Sequence, residues 1–309
     1  MALTITELNA VTRKHLLGDI TNQVYDTSPF TAKLKADGQV KVSGGSSLQW
    51  PIRYTKLGSA KTTTARAQVA FESVETRTAA IANWAYTDAV TMMHWDERAT
   101  NKGPEAIVNL AKDKIDELKE DYSDYLAETL FGTTTSGIAP LTEMVSSSET
   151  YGGLDVSTFS DWASPEDTST TTLTISALDY MRNQATFAKN RPTLHVTTRD
   201  LYSKYESLLE AKEILEDVQM ADLGFDSIKY HGVPVVSDSY CTAKYWYGMD
   251  MKQFKMMNLK GEEPNAGDWF TLEQAGFPNA VAMYMSGVMQ LICKMRKSSF
   301  KFTLLDYEL

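Results

Sequence analysis

"IKYHGVPVVSDSYC", residues 228–241, places His231, Asp238 and Cys241 in one short stretch. It reads either as a nucleophilic site or as a buried strand that carries reactive residue types. The answer decides whether the chain carries catalytic chemistry at all. A nucleophile and its base must approach within ~3 Å. "GVPVV" is an apolar strand between polar ends, and ten positions separate His231 from Cys241. That is ~30 Å of extended chain at ~3.3 Å per residue. A reversal at Asp238-Ser239 would bring Cys241 back towards Val236, not towards His231. The strand reading prevails: His231 stands at the strand entrance as a structural residue, and Cys241 is a small, partly buried thiol. Pro234 places the strand at a sheet edge or beside a bulge.

The surrounding chain continues that texture. Upstream, "ISALDYMRNQATFAKN" reads as a helix capped by Ser176 and stopped at Asn190-Arg191-Pro192. "TLHVT" follows as a strand. A second helix, "DLYSKYESLLEAKEILEDV", carries Leu201, Tyr205, Leu208, Leu215 and Val218 on one face. With "KYWYGMD" downstream, helix, strand, helix and strand form one compact α/β unit. "AVAMYMSGVMQLIC", 280–293, is too short for a membrane helix, which needs ~20 residues, and it contains Ser286 and Gly287. It reads as a long buried strand, followed by a basic strand, "KMRKSSFKFTLL".

The strongest periodic signal is "GPEAIVNLAKDKIDELKEDYSDYLAETLF". Pro104 and Glu105 suit a helix start, and Ile107, Ala111, Ile115, Leu118, Tyr122 and Tyr125 recur at three- and four-residue steps. Residues 104–131 hold eight Asp/Glu against three Lys, so the remaining faces are acidic. Before this helix, "QVKVSGGSSLQWPIRYT" (39–55) and "VAFESVETRTAAIANWAYTDAV" (69–90) flank a polar tip, "KLGSAKTTTARAQ". Together they predict an extended two-stranded hairpin. Such a hairpin is marginal alone in water and needs a partner surface. Between the long helix and the α/β unit runs a Ser/Thr/Gly-rich passage that Tyr151, Leu154, Phe159 and Trp162 can dock onto a core.

Composition narrows the function classes. The 309 residues suggest two domains or one elaborated domain, and 43% hydrophobic content supports a substantial core. Two cysteines without close spacing exclude a disulfide scaffold and a Cys-rich zinc site. "MALTITELNAVTRKHLL" lacks a signal-peptide core; Thr4 and Glu7 instead read as a capping box opening a short helix. GxSxG, GxGxxG, P-loop and HExxH motifs are absent, and His15, His94, His195 and His231 lie at no ligand spacing. No cofactor, metal or catalytic residue is expected. Net charge is −10, yet residues 1–66 hold nine Lys/Arg against four Asp/Glu, a balance of +5 that leaves −15 for the rest. An acidic body repels phosphates. A basic arm on it suggests that copies attract one another, the alternative being a solvated basic surface.

The segment "IKYHGVPVVSDSYC" followed by "YWYGMDMKQFKM" resembles a stretch near the end of tailed-phage major capsid proteins of the Hong Kong 97-type fold. "YGGLDVSTFSDWA" is similar to a Gly-Gly-hydrophobic-Asp…Trp passage of phage coat proteins, and the order of elements agrees along nearly the whole chain. The resemblance implies an α+β fold with an N-terminal arm (1–38) and an extended hairpin or E-loop (39–86). A peripheral (P) domain follows (87–172 and 280–309), with its sheet and a spine helix at about 104–131, together with a compact α/β axial (A) domain (173–279). It implies no enzyme but a structural protein that assembles into hexamers and pentamers of an icosahedral head enclosing double-stranded DNA. Assembly would take place in the host cytoplasm, with a portal, a separate scaffolding protein and no membrane as context. In that family the E-loop lies across a neighbour. Lys56, Lys61 and Arg66 at the tip are therefore expected to meet Glu120, Asp121 and Asp124 of an adjacent spine helix. The start of the chain points away from N-terminal processing, and neither partner of a Lys–Asn cross-link can be placed. The alternatives are an encapsulin-type nanocompartment shell and a soluble intracellular hydrolase. The last predicts a deep polar pocket and a low-order oligomer.

Overall fold

The computed structural model describes residues 28–64, 74–100, 104–133, 137–209, 225, 227–273 and 279–306, with backbone alone at 98–100 and 104–110. The proposed Thr4–Glu7 capping box, Arg66, Leu215 and Val218 lie outside these residues, as does the side chain of Ile107. In chain order the helices are α1 (Pro29–Ala36), α2 (Trp95–Thr100), α3 (Pro104–Phe131), α4 (Leu141–Met144), α5 (Ile175–Gln184) and α6 (Arg199–Leu208).

The first sheet is organised by β13 (Val281–Cys293), the long apolar run that the sequence predicts as a buried strand. One edge of β13 is taken from Val281 to Met289 by β4 (Ala85–Met93). The other edge is shared by β10 (Phe254–Leu259), β11 (Asn265–Ala266) and β12 (Phe270–Thr271), all antiparallel. Helix α3 lies across β4 and β13 and is ~40 Å long at ~1.5 Å per residue. Its buried stripe runs Ala111, Ile115, Leu118, Tyr122, Leu126 and Leu130. Tyr125, expected on this stripe, is instead 46% exposed, because the four-residue step from Tyr122 reaches Leu126. The helix approaches closely where the sheet is small-faced. Tyr122 Oη lies 2.5 Å from Thr87 Oγ1, and Thr87 donates to the Gly287 carbonyl at 2.9 Å. A Cβ at Gly287 would sit 2.8 Å from Tyr122 Oη, so the glycine inside β13 makes room for the helix.

The second sheet has the order β5-β14-β9-β6-β8-β7, from β5 (Glu166–Asp167), β6 (Leu194–Thr197), β7 (Ser227–Tyr230), β8 (Val233–Ser237), β9 (Trp246–Met249) and β14 (Phe300–Phe302). Leu178 and Met181 of α5 and Leu201 and Tyr205 of α6 bury against Ile228, Val235 and Trp246. Helix α5 is capped by Thr174, whose Oγ1 accepts from the Ala177 N–H at 3.2 Å, and not by Ser176. It also ends at Gln184, short of Asn190: Thr186 turns its hydroxyl onto the Arg182 carbonyl at 2.7 Å, and Phe187 bridges Asn190. The sheets cross the expected sequence divisions in both directions. Phe254–Leu259, Asn265–Ala266 and Phe270–Thr271 pair with β13, whereas Glu166–Asp167 and Phe300–Phe302, the latter the only strand in the basic C-terminal stretch among the described residues, join the sheet of β9.

His195 on β6 is fully buried. Trp246 Nε1–H donates to its Nδ1 at 3.2 Å, which places the imidazole proton on Nε2. Burial, with smaller contributions from Arg182 and His231, holds its pKa down at about 3, against an ordinary 6.5. A depressed folded-state pKa means that the unfolded chain takes up a proton first as pH falls. The associated stability is fully present above about 6.5 and is lost between about 6.5 and 3. In that window His195 should cost up to ~1.4 kcal/mol per pH unit. Urea unfolding across pH 7 to 5 checks this, and His195→Gln should flatten the slope by about one proton.

The predicted hairpin is shorter at its base than the sequence suggests. Residues 40–43 leave it: β1 (Val40–Ser43) pairs in parallel with β10. The hairpin proper is β2 (Leu48–Arg53) against β3 (Arg77–Ala82). One face is covered by the chain itself. Leu48, Trp50 and Ile52 point inward, and Trp50 packs on Tyr151 with ring centroids 6.0 Å apart. The Ser/Thr/Gly-rich passage supplies that cover as the sequence predicts: Tyr151, Leu154 and Trp162 are buried and Phe159 packs against Tyr54. Beneath it lies a fully buried Arg296. Its guanidinium donates to the carbonyls of Met144 (2.8 Å), Ser146 (2.9 Å), Glu143 (3.0 Å) and Glu149 (3.2 Å), and rests on the rings of Tyr151 and Trp162.

Candidate assembly surface

The 228–241 stretch resolves into local structural tasks. His231 (φ 49°) and Gly232 (φ 79°) form the two-residue turn between β7 and β8, the left-handed pair that such a hairpin requires. His231 Nε2 meets Asp179 Oδ1 at 2.9 Å, an oxygen that also accepts from Tyr230 Oη at 2.6 Å. Strand β8 is not an edge, contrary to the reading of Pro234, because it lies between β6 and β7. Pro234 fits because pairing with β6 begins one residue later, at Val235, so its missing N–H costs no ladder bond.

Asp238 is buried. It accepts from the Ser28 hydroxyl and from the Tyr240 N–H at 3.0 Å, tying the start of α1 to this loop. Burial raises its pKa even against those hydrogen bonds. The Cys241 thiol is pushed well up by burial, and then by Asp238, and its Sγ faces the Tyr245 carbonyl at 3.9 Å. Cys241→Ser should therefore leave solubility and assembly intact and shift stability by no more than ~1 kcal/mol in thermal melts, since the serine hydroxyl can donate to the same carbonyl.

The surfaces left open lie elsewhere. Beyond Tyr54 the hairpin tip is exposed from Lys56 to Thr64, with Lys56 and Lys61 both in solvent. Lys56 adds a small contribution to lowering Asp161, whose carboxyl is held down first by Lys297. On the outer face of α3, Glu117 has an intrahelical partner in Lys114 and Asp116 one in Lys119. Glu120 and Asp121 are exposed, and no side-chain bond to either is found among the described residues. Asp124 is exposed but engaged within the chain, accepting from Tyr240 Oη at 2.5 Å. The structure thus places Glu120 and Asp121 side by side, free to meet a cation, while Asp124 already braces α3 against the 238–241 loop.

A second open surface was not anticipated. Tyr86 (74% exposed) and Val90 (65%) project from β4 on the face away from α3, and Val90 pairs across the strands with the exposed Tyr284. Phe270 packs on Tyr284 with centroids 5.9 Å apart. The signal was present in the sequence as an inverted alternation. Ala85, Thr87 and Ala89 are small because α3 presses on them, so the bulky members of β4 are turned outward. Asp88, paired with Ser286, separates Tyr86 from the cluster of Val90, Tyr284 and Phe270, and exposed apolar side chains rimmed by polar ones in this way mark an interaction surface. Among the described residues no helix is long and apolar enough to cross a membrane.

No protein-family model and no curated protein sequence matches the chain. Solved structures do. The capsid of cyanophage A-1(L) superposes with a TM-score of 0.66 at 16% identity, covering 87% of this chain and 90% of that one. The capsid of a native GTA particle gives 0.57 at 10% identity over 89% and 90%. The SrpI encapsulin of Synechococcus elongatus PCC 7942 gives 0.53 at 9% identity over 89% and 88%. Identities this low speak to architecture alone, and on that point capsids and encapsulin agree over nearly the full length of each chain: this protein has the fold of the tailed-phage major capsid proteins.

Proposed function

We propose that the chain is a structural major capsid protein that self-assembles into the icosahedral head around the double-stranded DNA genome of a tailed phage. The observation that carries this reading is the pair of uncovered surfaces on a capsid fold: a hairpin tip exposed from Lys56 to Thr64, and an apolar sheet face around Tyr86, Val90 and Tyr284. Neither has a partner surface among the described residues of one subunit, and repeated copies supply both.

In this reading the hairpin of β2 and β3 within 39–86 is the E-loop, α3 is the spine helix, and residues 1–38 are the N-terminal arm. The peripheral domain comprises 87–172 and 280–309 and the axial domain 173–279, with β10, β11 and β12 joining the first sheet and β5 and β14 the second. Lys56, Lys61 and Arg66 of one copy meet Glu120 and Asp121 of the next, with Asp124 at the margin of the contact. Each exposed pair contributes only ~0–1 kcal/mol, so the pairs set register more than strength. Hexamers and pentamers form the shell in the virion. A portal and a separate scaffolding protein accompany it, and an acidic inner wall lets packaged DNA slide without sticking. The protein is not an enzyme.

Negative-stain microscopy with size-exclusion chromatography of the expressed protein tests the proposal. Closed particles or capsomer rings are expected; a uniform 34.5 kDa monomer would overturn it. The encapsulin match supports a second reading, a nanocompartment shell. Nucleic acid protected from nuclease inside purified particles favours the phage head, and protein cargo in its place favours the compartment.

A further inference from the structure

Below the base of the hairpin, the face of the first sheet that turns away from α3 holds a cavity of about 410 Å³. Lys41, Lys255 and Lys294 line it together with Trp50, Met257 and Ile292, and among the described residues no carboxylate does. The backbone brings the three lysines together. Lys41 on β1 lies opposite Met257, Lys255 on β10 lies opposite Ile292, and Lys294 follows the end of β13. Among the described residues none of the three forms an ion pair. Burial, then Lys294 and Lys41, lower the Lys255 ammonium, the direction expected of crowded like charges. In a chain of net charge −10, three unopposed cations around one concavity run against the composition.

Trp50, only 4% exposed, adds an aromatic ring to the lining.

We propose that this cavity binds a small organic phosphate, such as a nucleoside phosphate. Lysines act as point charges suited to phosphate oxygens, whereas planar carboxylates are best met by the arginine fork, and among the described residues no arginine lines the site. The volume exceeds what inorganic phosphate fills, and Leu48, Met257 and Ile292 offer an apolar wall for the organic part. The inference stands apart from shell assembly, because every group in it comes from one subunit.

Calorimetric titration of the purified full-length chain in phosphate-free, low-salt buffer tests it, with adenosine diphosphate, inorganic phosphate and a short single-stranded oligonucleotide as probes. Adenosine diphosphate should bind with a sub-millimolar dissociation constant and more tightly than inorganic phosphate. Lys255→Gln with Lys294→Gln should weaken it at least about tenfold while circular dichroism stays unchanged. Lack of binding at about 10 mM, or undiminished binding by the double variant, would overturn the proposal. So would inorganic phosphate binding equally well. An oligonucleotide that binds more tightly per phosphate would also overturn it, in favour of a nucleic-acid contact.

Discussion

Replacing Arg296 with alanine should lower the melting temperature by about 10 °C, equivalent to ~4–5 kcal/mol. The side chain is fully buried and its guanidinium satisfies four carbonyls, on Glu143, Met144, Ser146 and Glu149. These belong to α4 and the turn after it, where carbonyl groups have no intrahelical partner. Alanine would leave the Met144 and Glu143 carbonyls without this donor and Ser146 with only the Ser164 N–H, and would open a void beside Tyr151 and Trp162, the rings on which the hairpin base rests. Each loss alone is worth ~1–3 kcal/mol, and they are not additive. Arg296→Lys keeps the charge but not the fork and should recover less than half of the loss. A fall of under about 2 °C on alanine substitution, in scanning calorimetry, would show that the carbonyls find other donors.

Reversing the hairpin tip, Lys56→Glu with Lys61→Glu and Arg66→Glu, should reduce the yield of assembled particles more than about tenfold at low salt while leaving the subunit folded. The change takes these three positions from +3 to −3 in every copy. It turns attraction towards Glu120 and Asp121 into repulsion across each equivalent contact. Salt should then rescue the variant, whereas it weakens the wild type, since exposed charges are screened over ~8 Å at physiological ionic strength. Introducing Glu120→Lys and Asp121→Lys into the reversed chain should restore assembly. Asp124 is left unchanged in this test because Tyr240 already holds it. Sedimentation velocity reads both results. Unchanged yield and salt response in the reversed chain would remove the pairing.

Periodic features were legible in the sequence. The stripe of α3, the long strand β13 and the docking of Tyr151, Leu154 and Trp162 each follow from local spacing or from bulky apolar residues in a polar passage. Features decided by distant partners were not. Val40–Ser43 resembles the rest of the hairpin but pairs with Met256–Leu259, more than 200 positions away. Phe300–Phe302 reads as a continuation of β13, yet the turn containing Arg296 carries it to the other sheet. The burial of Arg296 itself depends on carbonyls, which leave no mark in a side-chain pattern. Of the expected contact residues, Lys56, Lys61, Glu120 and Asp121 are exposed as anticipated, while the bond from Tyr240 to Asp124 joins segments 116 positions apart. The apolar face of β4 leaves no clear mark in the sequence beyond its inverted alternation, because large side chains on a strand ordinarily point inward and the helix packed on Ala85, Thr87 and Ala89 reverses that rule here.

Cryo-electron microscopy of the assembled protein bears most directly on whether this chain completes its hairpin with identical copies. The expected map shows each tip, residues 55–64, lying over the long helix of a neighbouring subunit, near its Glu120 and Asp121. A tip folded back onto its own subunit, or a protein that remains a monomer under all assembly conditions, would contradict the account.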